Sequence, residues 1–126
     1  MLKQIVIRDY AVVAQLELEL GRGMTVITGE TGAGKSIMLD ALGLCVGDRA
    51  DSRAVRPGAE KADISALFDT EALTAVTAWL QERELDSGGG ECLLRRVIGS
   101  DGRSRAFING TPATLADCGD LGALLV

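Results

Sequence analysis

Histidine is absent from the 126 residues, and aromatic residues make up only 3% of them. The first absence excludes histidine general bases and histidine metal ligands, and the second excludes an aromatic stacking platform for single-stranded nucleic acid. The three cysteines (Cys45, Cys92 and Cys118) form no CxxC pair and are odd in number. We therefore expect buried free thiols, and neither a disulfide framework nor a zinc site.

Long apolar runs are also missing, since none approaches the roughly 20 residues of a membrane-spanning helix. The first residues lack the charged start and apolar stretch of a signal peptide. A net charge of −5 argues against a plain nucleic-acid-binding module, because affinity for phosphate backbones comes from clustered Lys and Arg. With 47% hydrophobic and 25% charged residues, the chain has the composition of a globular protein, and we expect a cytoplasmic location without membrane contact.

Hydrophobic periodicity predicts six strands and three helices. The predicted strands are 2–8, 12–20, 24–28, 62–68, 92–98 and 105–108, and the predicted helices are 35–46, 71–84 and 114–126. Gly47 suits the end of the first helix, and Thr114 is placed to cap the last one. Asp101-Gly102 between two strand candidates predicts a hairpin, and Asn109-Gly110 a further turn.

The segment Gly29 to Ser36 reads GETGAGKS and matches GxxxxGK[ST], the P-loop or Walker A motif, in full. Its glycines let the backbone curl so that successive N–H groups point at one anion, and the following helix adds its positive dipole end. Lys35 supplies a charge at the β- and γ-phosphates, and the Ser36 hydroxyl is the expected Mg²⁺ ligand. The motif predicts binding of a nucleoside triphosphate with Mg²⁺.

Hydrolysis also needs a strand that presents an acid to the metal, and two segments have suggestive sequences. Residues 64–69 (ISALFD) end in an acid, but they follow the P-loop helix too closely and Ser65 and Ala66 weaken the apolar run. Residues 87–91 (SGGGE) resemble the core of the ABC signature, which opens a helix. Because a strand-like run follows them here, we expect a flexible loop instead.

With these features together, the chain resembles the N-terminal part of the RecN family, bacterial DNA double-strand-break repair ATPases of the SMC-like ABC group. The resemblance is carried by residues 2–13 (LKQIVIRDYAVV), 28–43 (TGETGAGKSIMLDALG), 47–56 (GDRADSRAVR) and 92–111 (CLLRRVIGSDGRSRAFINGT). It implies an α/β fold of the P-loop NTPase class, half of an ABC-ATPase head with a mixed sheet and an antiparallel β-rich layer. Residues 1–126 would then be an incomplete domain, because coiled coil, signature, Walker B and switch histidine come later in this family.

The resemblance also implies which residues meet the nucleotide and which partners are involved. The residues expected at ATP are Gly29, Thr31, Gly32, Ala33, Gly34, Lys35, Ser36 and Ile37, with Ser36 as the ligand of Mg²⁺. Residues 8–12 would lie near the base or ribose. The implied partners are a second head, the missing C-terminal half and DNA, in a bacterial cytoplasm in association with the nucleoid. Because ATP sites of this class form between two heads, we do not expect the chain alone to turn over ATP efficiently.

Two arginine clusters leave alternatives open. The first consists of Arg49, Arg53 and Arg56, which the resemblance places near the dimer face as DNA contacts or ATP sensors, and which otherwise form a solvated basic loop. The second consists of Arg95, Arg96, Arg103 and Arg105, a charged hairpin face or a DNA site. A P-loop small-molecule kinase is the alternative function, with residues 48–61 as its arginine-bearing lid, although the alternating strand at 16–20 argues against it.

Overall fold

The computed structural model describes residues 2–11, 13–20, 24–28, 34–50, 52–86 and 88–125, with the backbone alone at 20, 24–28 and 34–36. Its elements are β1 (Leu2–Tyr10), β2 (Val13–Leu20), β3 (Met24–Thr28), α1 (Gly34–Cys45), β4 (Lys61–Asp69), α2 (Thr74–Glu82), β5 (Glu91–Gly99), β6 (Ser104–Ile108), β7 (Thr111–Ala113) and α3 (Leu115–Leu125), with a short 3₁₀ helix at Ser52–Ala54. The strands form one sheet in the order β3-β2-β1-β4-β5-β6-β7.

Every pairing among the described strands is antiparallel, which confirms the expected α/β class with an antiparallel β-rich layer. Parallel strands of the implied mixed sheet are not among those described. The six predicted strands and three predicted helices are present, and only their bounds differ by a few residues. Strand β7 was not predicted, because three residues are too few to show alternation and Pro112 is tolerated only at a sheet edge such as this one.

One face of the sheet carries the core, and we call it the inner face. Alternate residues of the strands are buried on it, among them Ile5, Ile7, Leu16, Leu18, Ile64, Phe68, Leu94, Ile98 and Ile108. Helix α1 packs over β4 and β5, α3 packs over β6, and α2 packs on α3. The other set of side chains points to the outer face, where they are half-buried or exposed. None of the described helices is long and apolar enough to cross a membrane.

Local hydrogen bonds produce the predicted turns and caps. The backbone N–H of Asp117 donates to Thr114 Oγ1 at 3.0 Å, which confirms the cap of α3. Asn109 and Gly110 both have positive φ, 49° and 84°, as a type I′ turn between β6 and β7 requires. Asn109 Nδ2 also donates to the Leu85 carbonyl at 2.8 Å, so this turn is tied to the segment after α2.

The C-terminal end of α1 is a Schellman motif centred on Gly47, whose φ is +104°. The N–H of Gly47 donates to Leu44 O at 3.3 Å, and that of Asp48 donates to Gly43 O at 3.0 Å. A Cβ atom on Gly47 would lie 2.7 Å from Leu115 O of α3. Both the helix end and its contact with α3 therefore require glycine here.

Replacement of Gly47 by alanine combines left-handed backbone strain with a clash against α3. We expect Gly47→Ala to lower the free energy of unfolding by about 3 kcal/mol or more in urea denaturation. Gly58→Ala is the matched control, because Gly58 also has positive φ (+90°) but an added Cβ would meet nothing within 4 Å. The control is expected to lose about 1 kcal/mol. Equal losses in the two variants would contradict the packing role of Gly47.

The three cysteines are free and buried, as predicted. Burial raises the pKa of the Cys45 thiol from 9.0 to about 12. The same cause raises the pKa of Cys92 from 9.0 to about 11 and shifts that of Cys118 upward. These thiols therefore stay protonated in the folded chain, and they behave as small apolar residues.

Their titration should make the folded chain less stable at alkaline pH. Above pH 9 the thiols of the unfolded chain ionise while the buried ones do not, so the unfolded state holds fewer protons and the free energy of unfolding falls. Each thiol contributes at most about 1.4 kcal/mol per pH unit. Urea denaturation from pH 8 to 11 measures how steeply the free energy of unfolding falls with pH. In Cys92→Ala this slope should be smaller by the contribution of one thiol. An unchanged slope in that variant would rule out its contribution.

Candidate functional site

The predicted phosphate-binding motif lies at the junction between β3 and α1. Residues 29–33 fall outside the described part of the chain, so the predicted roles of Gly29, Thr31, Gly32 and Ala33 stay predictions. Helix α1 begins at Gly34, and the backbone of Gly34, Lys35 and Ser36 therefore forms its first turn. Ile37 follows, half-buried and packed against the core. The side chains of Lys35 and Ser36 are not described, so the Mg²⁺ role of Ser36 also stays a prediction.

The start of α1 is suited to a negatively charged group. The first turn of a helix exposes backbone N–H donors that have no partner within the helix, and the helix dipole adds positive potential there. No acidic residue occupies the first turn of α1. The short link of five residues from β3 to α1 matches the strand–loop–helix context that the motif needs. The backbone that is described thus fits an anion such as a phosphate.

The opposite end of α1 meets a buried arginine on β5. Arg96 is only 1% exposed and lies on the inner face. Its Nη1 donates to Leu44 O in the last turn of α1 and to Asp48 O just beyond it, both at 2.8 Å. Its Nη2 donates to Ser104 Oγ on β6 at 3.0 Å. Burial lowers the pKa of Arg96 from its ordinary value, but a guanidinium remains protonated in proteins.

Sequence reasoning placed Arg96 in a group of charged hairpin residues, and the structure corrects this. The two neighbours Arg95 and Arg96 point to opposite faces of β5, because side chains alternate along a strand. Residues Leu94 and Ile98 share the buried face with Arg96. Their spacing of two residues was the signal that could have identified Arg96 as an inward-facing residue.

The loop between α1 and β4 carries the first arginine cluster, and it is held against the corner between β1 and β2. Arg56 N donates to Asp9 O at 2.7 Å, and Ala11 N donates to Ala54 O at 2.8 Å. Val55 is buried and forms a bridge with Tyr10. A kinase lid must open and close, so these backbone bonds argue against the lid that the kinase alternative needs. The side chains of Arg49, Arg53 and Arg56 are exposed, which suits both a binding role and a solvated basic loop.

The same corner contains unusual backbone conformations. Asp9 and Ala11 have positive φ, 52° and 53°, which residues other than glycine rarely adopt. Such strain persists only where the surroundings impose it, and it is concentrated at functional sites. The resemblance predicted residues 8–12 near a nucleotide base or ribose. The strain lies in that segment, although Val12 itself is outside the described residues.

The remaining arginines of the second cluster lie on the outer face. Arg95 makes a bidentate contact with Asp63 of β4, with Nε–Oδ1 and Nη2–Oδ2 distances of 3.0 and 2.6 Å. The guanidinium of Arg95 also lies 5.6 Å from the ring centre of Phe107. Because Arg95 is paired with Asp63 and lies near Phe107, its charge is less available to a ligand than that of an unpaired arginine.

An open groove of about 700 Å³ runs across this part of the outer face. Its charged lining, which we call the basic groove, consists of Lys61, Arg95, Arg103, Arg105 and a single acid, Asp101. Arg103 Nε lies 3.8 Å from Asp101 Oδ2, and the Arg103 side chain is 90% exposed, so this ion pair is weak. Lys61 was not among the predicted residues, because its place beside the hairpin depends on the pairing of Lys61 with Gly99.

The two segments considered for hydrolysis are not parts of a catalytic site in the described structure. Residues 64–69 belong to β4, which lies between β1 and β5 and is separated from β3 by two strands, so it cannot flank the P-loop strand. Glu91 starts strand β5 rather than a helix, and Gly88 and Gly90 have positive φ. The predicted loop is confirmed for residues 88–90, and Glu91 already belongs to β5.

Comparison with known proteins agrees with this architecture. A family model described as an AAA domain matches residues 4–105. Over its whole length the chain is 52% identical to the DNA repair protein RecN of Vibrio cholerae and 53% identical to that of Xylella fastidiosa strain Temecula1. It spans 23% and 22% of the lengths of these two relatives.

Solved structures show the same fold. A structure from work on ATP-driven dimerization and DNA-stimulated activation of SMC ATPases superposes with a TM-score of 0.70 at 22% identity, over 98% of this chain and 78% of that one. The expected SMC-like head fold of the P-loop NTPase class is therefore confirmed. The chain belongs to the AAA domain family and is a RecN-like member of it.

Proposed function

We propose that the chain is the nucleotide-binding N-terminal segment of an SMC-like ABC ATPase head in a protein of recombinational DNA double-strand-break repair. The observation that carries this proposal is the complete GxxxxGKS motif at the junction between β3 and α1. The relatives named DNA repair protein RecN support the process, and the SMC likeness supports the head. The protein would act in the bacterial cytoplasm, in association with the nucleoid.

ATP and Mg²⁺ are the proposed cofactors. The N–H groups at the start of α1 and in the preceding loop would hold the phosphates, and Lys35 would add its charge at the β- and γ-phosphates. The Ser36 hydroxyl would be the chain's ligand to Mg²⁺, which when bound neutralises charge on the phosphates. Binding and orientation are the contributions of these residues, and no residue of the chain is proposed as a catalytic acid or base.

The chain spans less than a quarter of its relatives, so we propose that residues 1–126 are an incomplete domain. The parts needed for turnover would come from the C-terminal half and from a second head. ATP binding and hydrolysis would then be coupled to head dimerisation in the longer protein. The chain alone would bind ATP without efficient hydrolysis.

The P-loop role predicts a specific loss on removal of one lysine. Lys35→Ala should weaken binding of a fluorescent ATP analogue in the presence of Mg²⁺ by roughly 10-fold or more, because a charge-assisted contact with the phosphates is lost. Lys61→Ala is the matched control, since Lys61 lies on the outer face and should leave the dissociation constant unchanged. Equal affinity in all three proteins would remove the P-loop from the proposal.

DNA is the proposed macromolecular partner, and the basic groove is the described surface that best fits its phosphates. Three cations of the groove (Lys61, Arg103 and Arg105) are exposed, whereas the chain as a whole is acidic. Positive charge concentrated on one face allows local contact with a phosphate backbone in spite of the net charge. The α1–β4 loop carries a second set of exposed arginines, the first arginine cluster.

Contact of the basic groove with DNA would appear in the salt dependence of binding. We expect the double variant Arg103→Gln/Arg105→Gln to reduce the slope of log K against log salt concentration by about 2, for duplexes of any sequence. Arg83→Gln is the control for loss of an arginine, because Arg83 stacks on Trp79 of α2, away from the groove. If the slope falls equally in Arg83→Gln and in the double variant, or falls in neither of them, the groove is excluded as a DNA contact.

A further inference from the structure

Arg96 is the largest fully buried side chain in the described part of the chain, and it lies among apolar residues. A guanidinium in such a place is unfavourable unless its donors find acceptors. Nη1 makes two hydrogen bonds and Nη2 makes one, whereas Nε has no partner among the described residues. The site is therefore built around the two Nη atoms, and two of the three bonds go to the end of α1.

Apolar packing holds α1 on the sheet, but the residues it buries completely are mostly small. The fully buried residues of α1 are Ala41, Leu44 and Cys45, two of them small, and Ile37, Met38 and Leu42 pack half-buried against the core. Small side chains interlock weakly with the strands below, so they resist sliding of the helix along its axis less than large ones do. Directional hydrogen bonds from Arg96 to Leu44 O and Asp48 O add a constraint on that position which apolar packing does not supply.

We propose that Arg96 is a positioning residue for the nucleotide site: from the far end of α1 it holds the first turn, Gly34 to Ser36, where the phosphates bind. This inference rests on the proposed nucleotide-binding function. The helix has 12 residues and is about 18 Å long, and a helix of that length moves nearly as a rigid rod. A shift at Leu44 is therefore passed on to the N–H donors of the first turn.

The same guanidinium joins three parts of the molecule. Through Leu44 O it holds the nucleotide-binding helix, through Asp48 O it holds the start of the loop with the first arginine cluster, and through Ser104 it reaches the hairpin. The positive charge also complements the negative end of the α1 dipole. Loss of Arg96 removes the hydrogen bonds at the end of α1 and at the start of the loop together, while the inner face keeps its apolar packing.

The test compares three variants in the 126-residue chain. Arg96→Met fills the space without the donors. Arg96→Lys keeps a cation that can reach one or both carbonyls. Ile98→Ala is the matched control for lost stability, because Ile98 is buried on the same face of β5 but makes no hydrogen bond to α1. All proteins are compared at a temperature at which thermal unfolding shows each of them to be folded.

Amide hydrogen exchange is the first readout, since it does not depend on any nucleotide. Exchange in residues 37–42 of α1 should rise roughly 10-fold in Arg96→Met relative to amides of β4, less in Arg96→Lys, and not in Ile98→Ala. Unchanged exchange in Arg96→Met, or an equal rise in Ile98→Ala, overturns the positioning role. If Arg96→Met does not fold, the same comparison between Arg96→Lys and Ile98→Ala decides the matter.

Affinity for the fluorescent ATP analogue with Mg²⁺ is the second readout. We expect Arg96→Met to bind roughly 10-fold more weakly, with partial recovery in Arg96→Lys, and Ile98→Ala to stay within about 2-fold of the unmodified chain. If Arg96→Met loosens α1 yet binds with full affinity, the inference fails while the nucleotide site stands. If the unmodified chain binds no analogue, the proposed function fails, and the exchange data still judge whether Arg96 holds α1.

Discussion

A guanidinium buried in an apolar core costs several kcal/mol of stability unless its donors are satisfied. Arg96 meets most of this demand through Nη1, which donates to carbonyls at the end of α1, and Nη2, which donates to a hydroxyl on β6, whereas Nε has no partner among the described residues. Leu44 and Asp48 lie 52 and 48 positions before Arg96, so the end of α1 and the start of the arginine loop must assemble with the hairpin around this side chain. The geometry of the candidate site depends on this assembly together with apolar packing, because the hydrogen bonds fix the end of α1 that the packed side chains hold on the sheet.

The sheet places the two proposed binding surfaces at opposite faces. Its inner face packs against α1 and α3 and so supports the nucleotide-binding end of the fold, whereas the outer face carries the basic groove beside the hairpin. Arg95 and Arg96 show the division at a single point, since one pairs with Asp63 outside and the other with α1 inside. Strand β5 thus contributes side chains to both surfaces.

Much of the fold could be predicted from the sequence because its signals are local. The Schellman end at Gly47, the cap at Thr114 and the turn at Asn109-Gly110 each involve residues within a few positions of one another. Strand alternation was long enough to be read in six of the seven strands. Strand β7 escaped prediction because three residues carry too little pattern, and the register of its edge pairing with β6 is set by the turn before it.

The sequence by itself determined the phosphate-binding motif, the order of the elements and the burial of the thiols, because each follows from residue types over a short stretch. Only the tertiary structure decided what the arginines do. Arg96 bonds to residues 52 and 48 positions away, and Arg95 to one 32 positions away. Such partners depend on the register of antiparallel strands and on where α1 lies over them, and no local pattern encodes that combination.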